Sequence, residues 1–240
     1  KAIFKDNTIN SEIYLELLTE PIIQKHKINI LADPHALSDK LLLEILSQGV
    51  DIKTAITIVK KAITNIFAGD PDKQKEYTEL FDSDQQINMA LKGGQPNFNV
   101  LINGKQFRLN FADLKNYVLR RHAFGVAIAS DKQQKPTKFA FLKNVPSLNF
   151  ASVAKTPDTQ QLEEYSRIVA GLPSDQMIEI RKIVLRELLN VIRTPDKYQT
   201  AIRQDNEGNN IIDYRKVVAG QALEVIVTTN NGVIEHFSPY

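Results

Sequence analysis

The chain has no cysteine and no tryptophan, and only two methionines and four histidines among its 240 residues. Without thiols there can be no disulfide framework, thiolate nucleophile or cysteine-based zinc site. His26, His35, His122 and His236 stand too far apart for metal-ligand spacing, so each reads as a surface or structural residue. No apolar run reaches the roughly 18 residues of a membrane span. The first apolar residues alternate with charged and polar ones, unlike a signal peptide. A phosphate-cradling loop is missing too: Gly93-Gly94 lacks the lysine that should follow and a strand-to-helix setting. No Gly-x-Ser-x-Gly occurs, and pairs such as Asp82/Asp84 and Glu163/Glu164 read as ordinary solvated acids. These absences predict a non-enzymatic protein with no cofactor and no metal.

What the chain does have is a cationic middle. Between Lys105 and Lys155 lie ten basic residues and only two acids, Asp113 and Asp131, giving +8. Residues 1–104 hold 11 basic and 14 acidic side chains, and residues 156–240 hold 9 and 12, so each flank carries −3. The net charge of +2 is therefore a cancellation, and the middle segment can attract polyanions. Length and composition, 42% hydrophobic and 24% charged, suit one large domain or two modest ones.

Periodicity assigns helices to the N-terminal part. Ser11 to Leu18 is one, stopped by Pro21, and Ser38 to Gln48 is another, with Ser38 as cap and Gly49 as stop. A third starts at Asp51 and repeats Ile52, Ala55, Ile56, Val59, Ile63 and Ile66; Lys73 to Lys92 holds one more or two short ones. The period then changes. Phe98–Ile102 and Lys105–Leu109 flank Asn103-Gly104 as a β-hairpin with a type I′ turn. A helix capped by Asn110 or Asp113 runs to about Ala129, followed by the polar loop 131–138 and the short apolar run Phe139–Leu142. Two helices follow, Asp158–Ala170 and Ser174–Arg193, the second apolar around most of its circumference and so expected at a core centre. Arg203–Asp213 reads as a loop and Ile211–Gln221 as a short helix. Leu223–Val227 and Val233–Phe237 form a second hairpin-like pattern about Asn230-Asn231-Gly232.

Within the cationic stretch, charge alternates with aromatic and amide groups. Lys105, Phe107 and Arg108 share one hairpin arm; Lys115, Tyr117, Arg120 and Arg121 lie on the next helix; Lys132, Lys135 and Lys138 lie on the loop. Single-stranded nucleic acid needs cations along a groove for phosphates and rings on which unstacked bases gain roughly 1–3 kcal/mol each. The candidate RNA contacts are thus Lys105, Arg108, Lys115, Arg120, Arg121, Lys132, Lys135 and Lys138 for phosphate, with Phe107 and Tyr117 for stacking. Core packing is the competing role for those rings. No RNP consensus, KH loop or zinc finger is present, so base identity goes unread.

The segment Asn99-Val100-Leu101-Ile102-Asn103-Gly104-Lys105 resembles the Asn-Val-Leu-Ser-Phe-Asn-Lys motif of nucleocapsid proteins of segmented negative-strand RNA viruses, in particular plant emaraviruses. Asn99, Val100, Leu101 and Lys105 match. Two further motifs of that group, Asn-Arg-Leu-Ala and Gly-Tyr-Glu-Phe, have only Asn149-Phe150-Ala151 and Glu164-Tyr165 near their places. The resemblance implies a mainly α fold, with two helical lobes, one or two short β-hairpins and a basic cleft between the lobes. It divides the chain into an N-terminal arm (1–20), an N-terminal lobe (21–150), a C-terminal helical lobe (151–220) and a C-terminal arm or hairpin (221–240). It also implies sequence-independent encapsidation of single-stranded RNA in the virion and host cytoplasm, with a viral polymerase as a further partner and no membrane. Homo-oligomers would form through Ile3, Phe4, Ile9 and Ile13 of one arm and Val225, Val227, Val233 and Phe237 of the other, unless those residues complete their own domain. A coat subunit of a filamentous positive-strand plant virus is an alternative, as is a protein-interaction or effector module docking an acidic partner.

Overall fold

The computed structural model describes residues 4–5, 8–9, 11–93, 97–110, 114–125, 138–145, 163, 166–167, 170–198, 203–205 and 207–240. Lys132, Lys135 and Ile3 lie outside the described residues. So do nine of the thirteen residues of the helix expected over Asp158–Ala170; the described ones, 163, 166–167 and 170, are helical.

Two compact units divide the chain, residues 1–85 and 86–240. The first opens with a two-stranded pair, β1 (Phe4–Lys5) and β2 (Thr8–Ile9), in register Phe4↔Ile9. Helices α1 (Ser11–Ala32), α2 (Leu43–Ser47), α3 (Ile52–Ile66) and α4 (Pro71–Gly93) follow, and the division between units falls within α4. Pro21 does not stop α1. Proline removes one backbone donor and crowds the preceding turn, yet burial of Ile22, Ile23 and Ile30, all beyond the proline, offsets that cost. Ser38 is no cap: it is buried in a π-helical run, Leu37–Leu42, and its hydroxyl accepts from Gln85 Nε2 at 3.1 Å. Asp51 is a true cap, accepting from Lys53 N and Thr54 N at 3.0 and 3.1 Å. Leu37, Leu41, Ile45, Val59, Ile63 and Phe81 form this unit's core.

The second unit corrects the mainly α expectation. It is built on a seven-stranded mixed sheet, ordered β3-β4-β9-β8-β7-β5 with β6 also on β7. The strands are β3 (Asn97–Ile102), β4 (Lys105–Asn110), β5 (Lys197–Tyr198), β6 (Arg203–Gln204), β7 (Asn210–Val218), β8 (Gln221–Thr228) and β9 (Val233–Pro239). The fold is mixed α/β, not two helical lobes. The physical reason lies in Ile211–Gln221, expected as a helix. Ile211, Ile212, Val217 and Val218 are β-branched and Tyr214 aromatic, side chains that fit a pleated surface better than a helix. They form β7, which pairs with β8 from Ile211↔Thr228 to Val218↔Gln221 across a turn with Ala219 at φ 50 and Gly220 at φ 77.

The expected Asn103-Gly104 hairpin is present as β3–β4, with Val100↔Phe107 and Asn99↔Arg108 opposed. Helix α5 (Ser174–Arg193) buries Met177, Ile180, Val184, Leu185, Leu188, Leu189, Val191 and Ile192 in one core with the inward side chains of the sheet. Ile178 is 38% exposed, so α5 covers a sheet face instead of running through a core centre. Of the two expectations for residues 221–240, an arm or a hairpin, β8 and β9 have the hairpin's antiparallel pairing, inside the sheet and with Val225, Val227 and Phe237 buried. Only Val233 of the four proposed docking residues there is half-buried.

Candidate nucleic-acid interface

Strand parity decides which cationic side chains can act together. Successive side chains on a strand point to opposite faces. Phe107 and Leu109 of β4 are buried inward, so Gln106, Arg108 and Asn110 point outward and are exposed. Lys105 shares the parity of Phe107 but stands at the strand's start, where the sheet ends, and is exposed. Lys105 and Arg108 therefore serve opposite faces. The basic residues of the hairpin do not line one trough.

Beside Lys105 lie two pockets that share Lys105, Phe107 and Tyr214 in their linings and are together called the groove. The larger, of about 400 Å³, is bordered by Lys105, Gln106, Phe107, Tyr214, Thr228 and the turn Thr229–Gly232. The smaller, of about 140 Å³, shares Lys105, Phe107 and Tyr214 and adds Asn103, Ile192 and Pro195. Its cause is a notch in the sheet. β9 joins β4 only from Arg108↔Val233 onward, with Leu109↔Ile234 next, so the first residues of β4 project beyond the start of β9. At that junction Arg108 N donates to Gly232 O at 2.9 Å. A Cβ on Gly232 would lie 2.3 Å from Gln106 O, so only glycine lets the two backbones approach. Phe107 and Tyr214 form the floor, edge to face, with ring centroids 6.2 Å apart. Both are nearly buried, at 4% and 6% exposure, so neither offers an open stacking face. Among the described residues bordering both pockets there is one cation and no carboxylate.

The other candidates are differently placed. Arg120 and Arg121 lie on a π-helix, Leu114–Ala123, not on an α-helix. Closing turns over five residues brings positions four and five apart together. This makes Val118, Leu119, His122 and Ala123 the buried face and leaves Arg120 and Arg121 half-buried beside it. Arg120 Nε is buried without a hydrogen-bond partner. Lys115 and Tyr117 belong to the same helix, their side chains outside the described set. Lys138 lies against Gly125, where an added Cβ would sit 2.5 Å from its Cε, and burial lowers its pKa.

Arginines also neutralise the acids of the sheet's outward face. Asp213, 3% exposed, accepts from Arg203 Nε and Nη2 at 3.1 and 3.0 Å, and Arg215 donates to Glu224 at 2.8 and 3.1 Å. The Asp213 bond raises the Arg203 pKa. Arg215 also stacks 3.8 Å above the Tyr240 ring. These charges hold the sheet together and are already engaged.

Sequence reasoning found Lys105 and Phe107 but missed Tyr214, Thr228, Thr229 and Asn231 as their neighbours. The Asn230-Asn231-Gly232 turn was visible; its meeting with β4 was not, because that contact spans more than a hundred residues of chain. Among the described residues no three His, Asp or Glu side chains cluster as a metal site, and no helix is long and apolar enough to cross a membrane. No family model, curated protein or solved structure matches this chain.

Proposed function

We propose that this is a non-enzymatic protein that holds single-stranded RNA by its phosphates, without reading base sequence, and coats it by self-association. The observation that carries the reading is the groove beside Lys105: one exposed ammonium, a rim of amides and hydroxyls, an aromatic floor and no carboxylate among its described lining. Anionic sugar-phosphate suits the rim, and a base edge suits the apolar floor. The nucleocapsid-type role implied by the Asn99–Lys105 motif belongs to the same proposal, since that segment forms β3 and the turn leading into Lys105. Self-association draws support from α1, where Leu17, Ile28 and Leu31 are 58%, 80% and 53% exposed on one helix face.

The test is the salt dependence of binding to poly(U) and poly(A). Log affinity falls linearly with log salt, with a slope of about 0.7 per phosphate contacted. Lys105→Glu weakens both polymers alike and reduces the slope by at least about 0.7. Protein freed of nucleic acid that binds neither polymer at low salt, or a variant with an unchanged slope, refutes the proposal. An acidic protein partner at the same groove would leave RNA unbound.

A further inference from the structure

The chain contains two Asn-Gly dipeptides, Asn103-Gly104 and Asn231-Gly232, and both border the groove. They are held differently. Asn103 sits at φ 50 in the β3–β4 turn, and its Nδ2 donates to Arg193 O at 3.1 Å. Asn231 is exposed, and its Oδ1 accepts from Val233 N at 3.2 Å and from the Thr228 hydroxyl. Two donors thus converge on the amide oxygen of a residue followed by glycine, which has no side chain to hinder attack by its own nitrogen.

We propose that Asn231 is a site of self-modification that places a negative charge on the rim of the groove and retires it for anionic ligands. Gly232 N loses its proton to solvent base and attacks Asn231 Cγ, and the carbonyl electron pair moves onto Oδ1. That oxygen is where Val233 N–H and Thr228 O–H already point, the arrangement that stabilises an oxyanion in acyl transfer. Collapse expels ammonia and leaves a five-membered succinimide; water then opens the ring to aspartate or isoaspartate. One ammonia leaves, one water is consumed, and nothing is oxidised or reduced. The hydrogen bond from Gly232 N to Thr228 O, 3.1 Å long, must open before attack, which makes the conversion a slow timer. The chemistry stands on the turn alone; its consequence for RNA rests on the reading proposed above.

The full chain is incubated at physiological temperature and mildly alkaline pH, digested, and scored for amide-to-acid conversion and isoaspartate at both dipeptides. Asn231 converts faster than Asn103, and Thr228→Val slows Asn231 about tenfold in the folded chain, a modest share of what losing one oxyanion donor costs an enzyme. The same substitution leaves the rate in denaturant unchanged, and the thermal midpoint shows that the variant is folded. Faster conversion at Asn103, or equal rates for Thr228→Val and wild type when folded, overturns the chemistry. Aged protein and Asn231→Asp both bind poly(U) with a salt slope smaller by about 0.7 than fresh protein. Conversion that leaves the slope unchanged overturns the regulatory half. Fresh protein that fails to bind RNA sinks the RNA reading alone, and the conversion rates still decide the rest.

Discussion

Replacing Gly232 with alanine tests the notch directly. The residue sits at φ 65, where an L side chain costs roughly 1–2 kcal/mol. The new methyl also meets Gln106 O at 2.3 Å, and that oxygen is backbone, so no rotamer can move it aside. Relief requires β9 to draw away from β4, breaking the Arg108 N–Gly232 O bond and straining the Arg108↔Val233 pair. A lost hydrogen bond of this kind costs about 1 kcal/mol net, so the total is about 2–3 kcal/mol. In a chain of this size each kcal/mol moves the thermal midpoint by about 2–4 °C, so Gly232→Ala melts roughly 4–12 °C lower. Gly220→Ala is the control. It has φ 77 but nothing within 4 Å of its would-be Cβ, so it bears the conformational cost only. Equal losses in the two variants, read by circular dichroism melts, would show that the backbones do not approach as described.

Leu188 is fully buried between α5 and the sheet, and Leu188→Ala should cost about 2–5 kcal/mol in urea unfolding; a loss below about 1 kcal/mol would place α5 off the sheet. Burial chiefly lowers the pKa of His236 from its ordinary 6.5, with Glu224 opposing and Arg121 assisting. Below pH 6.5 the unfolded chain therefore binds a proton that the folded chain resists, so stability falls as pH drops from 6.5 and levels off above it. His236→Gln should flatten that limb of a stability–pH curve, and an unchanged limb would locate the titration elsewhere.

Local signals were the legible part. The repeat from Ile52 to Ile66 announced α3, Ser174–Arg193 announced α5 by its period, and Asn103-Gly104 announced the β3–β4 turn. What failed depended on partners distant in sequence. Pro21 reads as a stop until the buried Ile22, Ile23 and Ile30 are weighed against it. The β7–β8 turn uses Ala219-Gly220, which carries only half of the usual signature, so β7 passed for a helix. The cationic stretch was read as one surface because helix and strand faces were assigned separately. A π-helix in place of an α-helix, and opposite parity for Lys105 and Arg108, divide it between surfaces. Within the groove, Tyr214 had no local mark, since its role comes only from meeting Phe107 across the sheet.

The order of strands has a consequence for biosynthesis. β9 lies between β4 and β8, so the β3–β4 hairpin and the β7–β8 hairpin share no ladder until residues 233–239 have left the ribosome. Until then each waits with an open flank, a template for pairing with another nascent chain. Late arrival of a central strand makes this unit slow to close, and most exposed to chaperones just as synthesis of those residues ends.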